Sequence, residues 1–188
     1  MSGRAPRGSG GGGMVATRQL AGFIGKFEPG IGRLVRAARA ALRKRLPTAN
    51  QLVYDNYNAL AIGFGSTERV SDVILSLAVY PRAVNLYFMY GAKLPDPHRV
   101  LKGSGNQGRF VPLDSAAALD RPAVAALIRA AIRQARTPLA AAGRGRLVIK
   151  SVSRKQRPRR PGAPPKPRAA FEATAAPPSG TAPSSPSA

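Results

Sequence analysis

Val73-Ile74-Leu75-Ser76-Leu77-Ala78-Val79-Tyr80-Pro81-Arg82-Ala83-Val84-Asn85-Leu86-Tyr87-Phe88 is the stretch that decides the fold. Val73, Leu75, Leu77 and Val79 alternate with Ile74, Ser76 and Ala78, the period of a half-buried strand. Val84, Leu86, Phe88 and Tyr90 alternate in the same way with Asn85, Tyr87 and Met89. Only Tyr80-Pro81-Arg82 separates the two runs, so they are predicted to fold back as an antiparallel hairpin.

Working outward, Leu52–Tyr54 and Ala59–Phe64 read as two shorter strands around the polar run Asp55-Asn56-Tyr57-Asn58. That run is a turn, or it lines a pocket with a few convergent polar groups. Gly65–Asp72 is a loop. Residues 91–108 form a second loop, with a helical turn near Pro97–Leu101. Arg109–Leu113 reads as a strand, and Pro112 puts it at a sheet edge because proline cannot donate to a ladder.

Helices flank this meander. Thr17–Phe27 carries Leu20, Phe23, Ile24 and Phe27 on one face. A longer helix starts with Pro29 in its first turn and stops at Pro47. Its apolar side is Ile31, Leu34, Val35, Ala38 and Leu42, and Arg33, Arg36, Arg39 and Arg43 lie opposite. A third helix follows Asp120 as N-cap and Pro122. Val124, Leu127, Ile128, Ala131 and Ala135 form its buried stripe, and Arg129, Arg133 and Arg136 face out. Leu147–Val152 is either a last strand or an extended segment. Segregated helices and strands predict an α+β fold. The expected form is a two-layer sandwich, an antiparallel sheet of about five strands with helices packed on one face.

The 188 residues allow one domain. Residues 1–13 read as a disordered Gly/Ser/Arg leader and 154–188 as a disordered basic tail rich in Pro, Ala and Ser. The folded domain is expected over 14–153. No cysteine is present, which excludes disulfides, thiolate catalysis and iron–sulfur clusters. His98 is the only histidine, and no GxSxG elbow accompanies it. The acids of the folded region form no spaced pair suited to acid–base work, so no catalytic residue, no cofactor and no enzymatic activity are expected. No apolar stretch approaches the roughly 20 residues of a spanning helix. The N-terminus lacks a signal-peptide core, and a cytoplasmic, non-membrane protein is expected.

The formal net charge is +22. Such charge favours nucleic acid or anionic surfaces through counterion release. It also fits a GC-rich coding composition, because arginine, alanine, glycine and proline are all abundant. Arg154–Arg168 is the segment expected to hold nucleic acid weakly and without sequence preference.

Three runs make the pattern more specific: Leu52-Val53-Tyr54-Asp55-Asn56-Tyr57-Asn58-Ala59, Ser76 through Phe88 with its Tyr80-Pro81-Arg82 turn, and Leu101-Lys102-Gly103-Ser104-Gly105-Asn106 leading to Arg109-Phe110-Val111-Pro112-Leu113. In order and separation they resemble the YdhG-like family, a domain of unknown function, over about residues 18–137. The resemblance implies a frataxin-like α+β sandwich and no established enzymatic activity. It also implies an alternative role, since some relatives have been proposed as iron chaperones. Frataxins carry an acidic ridge on the first helix and adjacent strand. Here residues 17–46 hold eight basic residues and one acid, Glu28, which should repel iron. Asp55, Asp72, Asp96 and His98 are the remaining oxygen and nitrogen ligands to consider, and no metal site is expected from them.

The best local candidate is Lys102-Gly103-Ser104-Gly105-Asn106-Gln107-Gly108-Arg109. Glycines let backbone N–H groups converge on an anion, and Lys102, Ser104, Asn106 and Arg109 add charge and donors. Tyr54 and Asn56 would close the site if their strand lay beside that of Arg109. The segment lacks the GxxxxGK[ST] spacing of a nucleotide-binding P-loop. In the competing reading Arg109 pairs with an acid such as Asp55. The expected function is non-enzymatic binding of a small anion or a polyanion.

Overall fold

The computed structural model describes residues 10–160. Over that range the chain forms α1 (Gly10–Gly25), α2 (Pro29–Arg45), β1 (Asn50–Asp55), β2 (Leu60–Gly65), β3 (Val73–Tyr80), β4 (Ala83–Phe88), β5 (Arg109–Leu113), α3 (Pro122–Arg133) and β6 (Leu147–Val152). The fold is α+β, with three helices and one six-stranded sheet in the order β5-β4-β3-β2-β1-β6. The expected sheet of about five antiparallel strands is corrected on two counts. Leu147–Val152 is a sixth strand, and it pairs parallel with β1.

The hairpin of β3 and β4 forms as read, with Val79 opposite Val84 and Leu77 opposite Leu86. The register extends these pairs into apolar rows: Leu60, Val79, Val84 and Leu113 in one, Ile62, Leu77, Leu86 and Val111 in the next. All are buried, in one cluster with Leu20 and Ile24 of α1, Val35 and Leu42 of α2, and Leu127 and Ile128 of α3. Each fully buried side chain of this size contributes about 1.5–3 kcal/mol. β5 lies at one edge, where Pro112 is tolerated.

Pro29 and Pro122 open α2 and α3 as expected. Arg43, Lys44 and Arg45 fill the last turn of α2, where cations complement the helix dipole. Asp120 is not the N-cap of α3. That position belongs to Arg121, with no side-chain cap, and Asp120 instead pairs with Arg45 of α2. The 91–108 loop carries its helical turn at Gly91–Lys93 rather than at Pro97–Leu101.

Both ends of the expected folded region shift outward. α1 begins at Gly10, within the expected leader, and Ala16, Leu20 and Ile24 bury its inner face. At the other end the chain stays packed beyond Ser153, with Arg159 only 4% exposed. The rest of the expected leader and tail, residues 1–9 and 161–188, lies outside the described residues. Among the described residues no helix is long and apolar enough to cross a membrane.

Candidate anion-binding cleft

The residues expected to form one site lie apart. β5 and β1 are separated by β4, β3 and β2. At about 4.8 Å per strand this puts the strands of Arg109 and Tyr54 roughly 19 Å apart. Tyr54 is half-buried and burial raises its phenol above the ordinary value. Asn56 is exposed, and its backbone N–H closes a turn onto the Ala59 carbonyl at 3.0 Å.

The loop before β5 is occupied by its own contacts. The Arg109 guanidinium donates to the Gly108 carbonyl at 2.8 Å and to the Gly105 carbonyl. Lys102 pairs with Phe110 in both backbone directions, at 2.8 and 3.0 Å. A Cβ at Gly108 would meet the Tyr87 hydroxyl, so any other residue there requires the Tyr87 ring to shift. Only Gly103, at φ +103°, uses the left-handed freedom that reading assumed. Lys102, Ser104 and Asn106 are exposed around these contacts.

Asp55 does not meet Arg109 either. It is fully buried at the end of β1, beside Leu60. Lys26 Nζ donates to its Oδ2 at 2.7 Å and Arg159 to its Oδ1 at 2.9 Å. The Ser153 N–H and the Gln156 amide close on its carbonyl at 2.9 and 3.2 Å. The Arg159 guanidinium also lies 5.5 Å from the Phe27 ring centre, and its Nε and Nη1 have no partner among the described residues. This cluster fastens the C-terminal segment to the α1–α2 turn. Asp96 accepts the Val100 and Leu101 N–H groups, and Asp72 accepts the Thr67 hydroxyl at 2.6 Å. These acids are therefore turn and loop formers. Among the described residues, no three His, Cys, Asp or Glu side chains gather closely enough to hold a metal ion.

A different arrangement brings cations to a concave surface. The N-terminal half of α1, the C-terminal half of α2 and the start of β6 enclose a cleft of about 1080 Å3. Arg39 and Arg43 project from α2 and Arg146 from the approach to β6. Val15, Ala16, Leu147 and Ile149 supply apolar wall. The floor includes Gln51, a buried polar residue in the helix-facing row of Phe64 and Leu75.

Arg39 Nε donates to Gln51 Oε1 at 2.7 Å. Burial and the neighbouring Arg43 hold the Arg39 guanidinium below its ordinary value. A buried charge is normally offset by an opposite one, yet the contact given to Arg39 is an uncharged amide. Glu68 is the acid that lines the cleft, and it pairs with Arg146 at 3.2 Å.

Comparison with family models, curated proteins and solved structures finds no match.

The cleft therefore stands on its geometry and charge. Its sequence signal was partly visible: the arginine stripe of α2 was legible as a helix face. That α1 packs against the flank bearing Arg39, and that Gln51 points inward, depends on strand order and register.

Proposed function

We propose that this chain is a non-catalytic anion-binding domain, and that its site is the interhelical cleft of Arg39, Arg43 and Arg146. The observation that carries the reading is the half-buried Arg39 beside Arg43, whose side-chain partner among the described residues is an uncharged amide. A phosphate or carboxylate placed between the two would relieve their repulsion and accept charge-assisted hydrogen bonds, each contributing about 1.5–3 kcal/mol. The apolar wall suits a ligand with a nonpolar part.

In this reading the fold is a two-layer, frataxin-like sandwich, as the resemblance to the YdhG-like family implies. The single cluster shared by the helices and the alternate residues of the sheet supports two layers. The iron-handling alternative needs grouped oxygen ligands. The cationic cleft favours anions instead.

A thermal-shift series with inorganic phosphate, sulfate and citrate tests the proposal. At least one anion should raise the melting temperature of the wild type and leave Arg39→Gln and Arg43→Gln unmoved. If none stabilises the wild type, the cleft is not an anion site. If stabilisation persists in both variants, the anion binds elsewhere.

A further inference from the structure

The interhelical cleft has a smaller counterpart at the other end of α2. At the α1–α2 turn, Phe27, Pro29, Gly32, Arg33, Arg36 and Arg160 line a cleft of about 260 Å3. Arg36 belongs to this cleft and Arg39 to the larger one. Residues three and four apart on a helix are surface neighbours, with Cβ atoms about 5–6 Å apart. Arg36, Arg39 and Arg43 are therefore consecutive members of one file. Arg33 continues it one turn toward the start of α2, Arg160 stands beside the α1–α2 turn, and Arg146 lies at the far end.

Little acid opposes this file. Among the described residues, the five ion pairs use Lys26, Arg45, Arg121, Arg146 and Arg159. Arg33, Arg36, Arg39, Arg43 and Arg160 are in none of them. Among the described residues Arg160 donates to the Gly25 carbonyl, at 3.3 Å.

The length of the file argues for a repeating anion. Arg33 to Arg43 spans ten residues, or about 15 Å along the helix axis. One phosphate can engage two neighbouring arginines but cannot reach the others. A chain of phosphates can engage all of them. One exposed aromatic ring stands near the turn end, on the β1–β2 turn that residues 157–160 tie to the end of α1. Phe27 lines the smaller cleft but is buried, so it offers no stacking face. Tyr57 is 48% exposed, and the Arg157 guanidinium lies 5.5 Å from its ring centre. Exposed rings beside a basic track are how proteins hold unpaired bases, because every base has a face that stacks.

We infer that the arginine file along α2 is a track for the phosphodiester backbone of a single-stranded nucleic acid, entering or leaving over Tyr57. This deepens the proposed function and rests on it, since the track runs through the same cleft.

The test is fluorescence anisotropy of an oligothymidylate against the full chain over a salt series. It compares Arg36→Gln and Arg43→Gln with Arg129→Gln and Arg133→Gln, which remove the same charge from the exposed side of α3. Melting temperatures verify that all four fold. Each α2 variant should lower the slope of log affinity against log salt by about 0.7, the value for one lost single-strand phosphate contact. The α3 variants should leave the slope unchanged, and Tyr57→Ala should weaken binding at every salt concentration. Equal effects from both pairs would mean that general charge holds the nucleic acid, and the track would fall. Equal or tighter binding of a duplex would overturn the single-strand assignment, as would preference for vesicles of anionic lipid. If phosphate stabilises the wild type through Arg39 while the α2 variants bind the oligonucleotide normally, the cleft survives and the track does not. If phosphate also fails, both readings fall.

Discussion

Asp55 occupies a helix-facing position of β1, in the row where β2, β3, β4 and β5 carry Leu60, Val79, Val84 and Leu113. A fully buried carboxylate in an aliphatic row is costly unless its partners arrive with it. Here they come from both ends of the chain, Lys26 after α1 and Arg159 after β6. Removing one member of such a buried pair costs about 3–5 kcal/mol, whereas replacing both with apolar residues is often near neutral. Asp55→Asn should therefore lower stability strongly in chemical denaturation. Asp55→Leu combined with Arg159→Leu should lose less than either single change; additive losses would show that the two do not act as a pair. Tyr54, next along β1, gives a pH-dependent counterpart. Burial raises its phenol above 10.0, so the folded state holds the proton that the unfolded chain releases first. Its stability contribution is complete below about pH 10 and is lost as pH rises through the higher folded value. Above about pH 10 the wild type should lose stability more steeply than Tyr54→Phe; parallel curves would show that the burial does not matter. The sequence placed Asp55 and Tyr54 in a run read as a turn or as pocket lining, and offered Asp55 as a partner for Arg109. Asp and Asn favour turns, and nothing local distinguishes a turn aspartate from one buried by a cation 104 residues away.

Among elements, β3, β4 and β5 were legible because short-range alternation and one proline determine them. β6 was not, because its six residues gain their place from a parallel partner far away in the chain. Its entry is set by close contact. The Gly145 N–H donates to the Pro47 carbonyl at 2.9 Å, and a Cβ at Gly145 would lie 1.8 Å from the Ala49 carbonyl oxygen. Gly145→Ala must therefore move one backbone away from the other. Overpacking of this kind costs typically about 1–3 kcal/mol. The damage should appear as faster hydrogen exchange at β6 and β1, with the β3–β4 hairpin protected as before. Uniform loss of protection would place Gly145 in the global unfolding unit instead. The loop before β5 shows the reverse limit. Its glycines were read as a nest; in the structure Gly103 takes a positive φ, Gly108 packs against Tyr87, and Arg109 Nη1 donates to the loop's own carbonyls.

For the whole molecule, the boundary placed at Ser153 followed from composition, since Arg154-Lys155-Gln156-Arg157-Pro158-Arg159-Arg160 contains no apolar residue other than proline. Arg159 is nevertheless buried and Gln156 half-buried, because hydrogen bonds and charge hold this otherwise exposed segment rather than apolar area. The Arg157 N–H donates to the Tyr57 carbonyl at 3.0 Å, Gln156 bridges Lys26 and the Asp55 carbonyl, and Arg159 completes the ion cluster. The segment thus ties the β1–β2 turn to the end of α1. A chain ended after Ser153 should consequently melt below one ended after Arg160. The loss of one partner of a buried ion, about 3 kcal/mol at the low end, corresponds to roughly 6–12 °C at about 2–4 °C per kcal/mol for a chain of this size. Differential scanning calorimetry of the two truncations measures the difference directly. Equal midpoints would mean that Lys26 alone compensates Asp55, and that residues 154–160 rest on the domain without stabilising it. A difference that vanishes when Asp55 is replaced by leucine in both chains would assign the effect to the ion cluster rather than to the backbone contacts beside it.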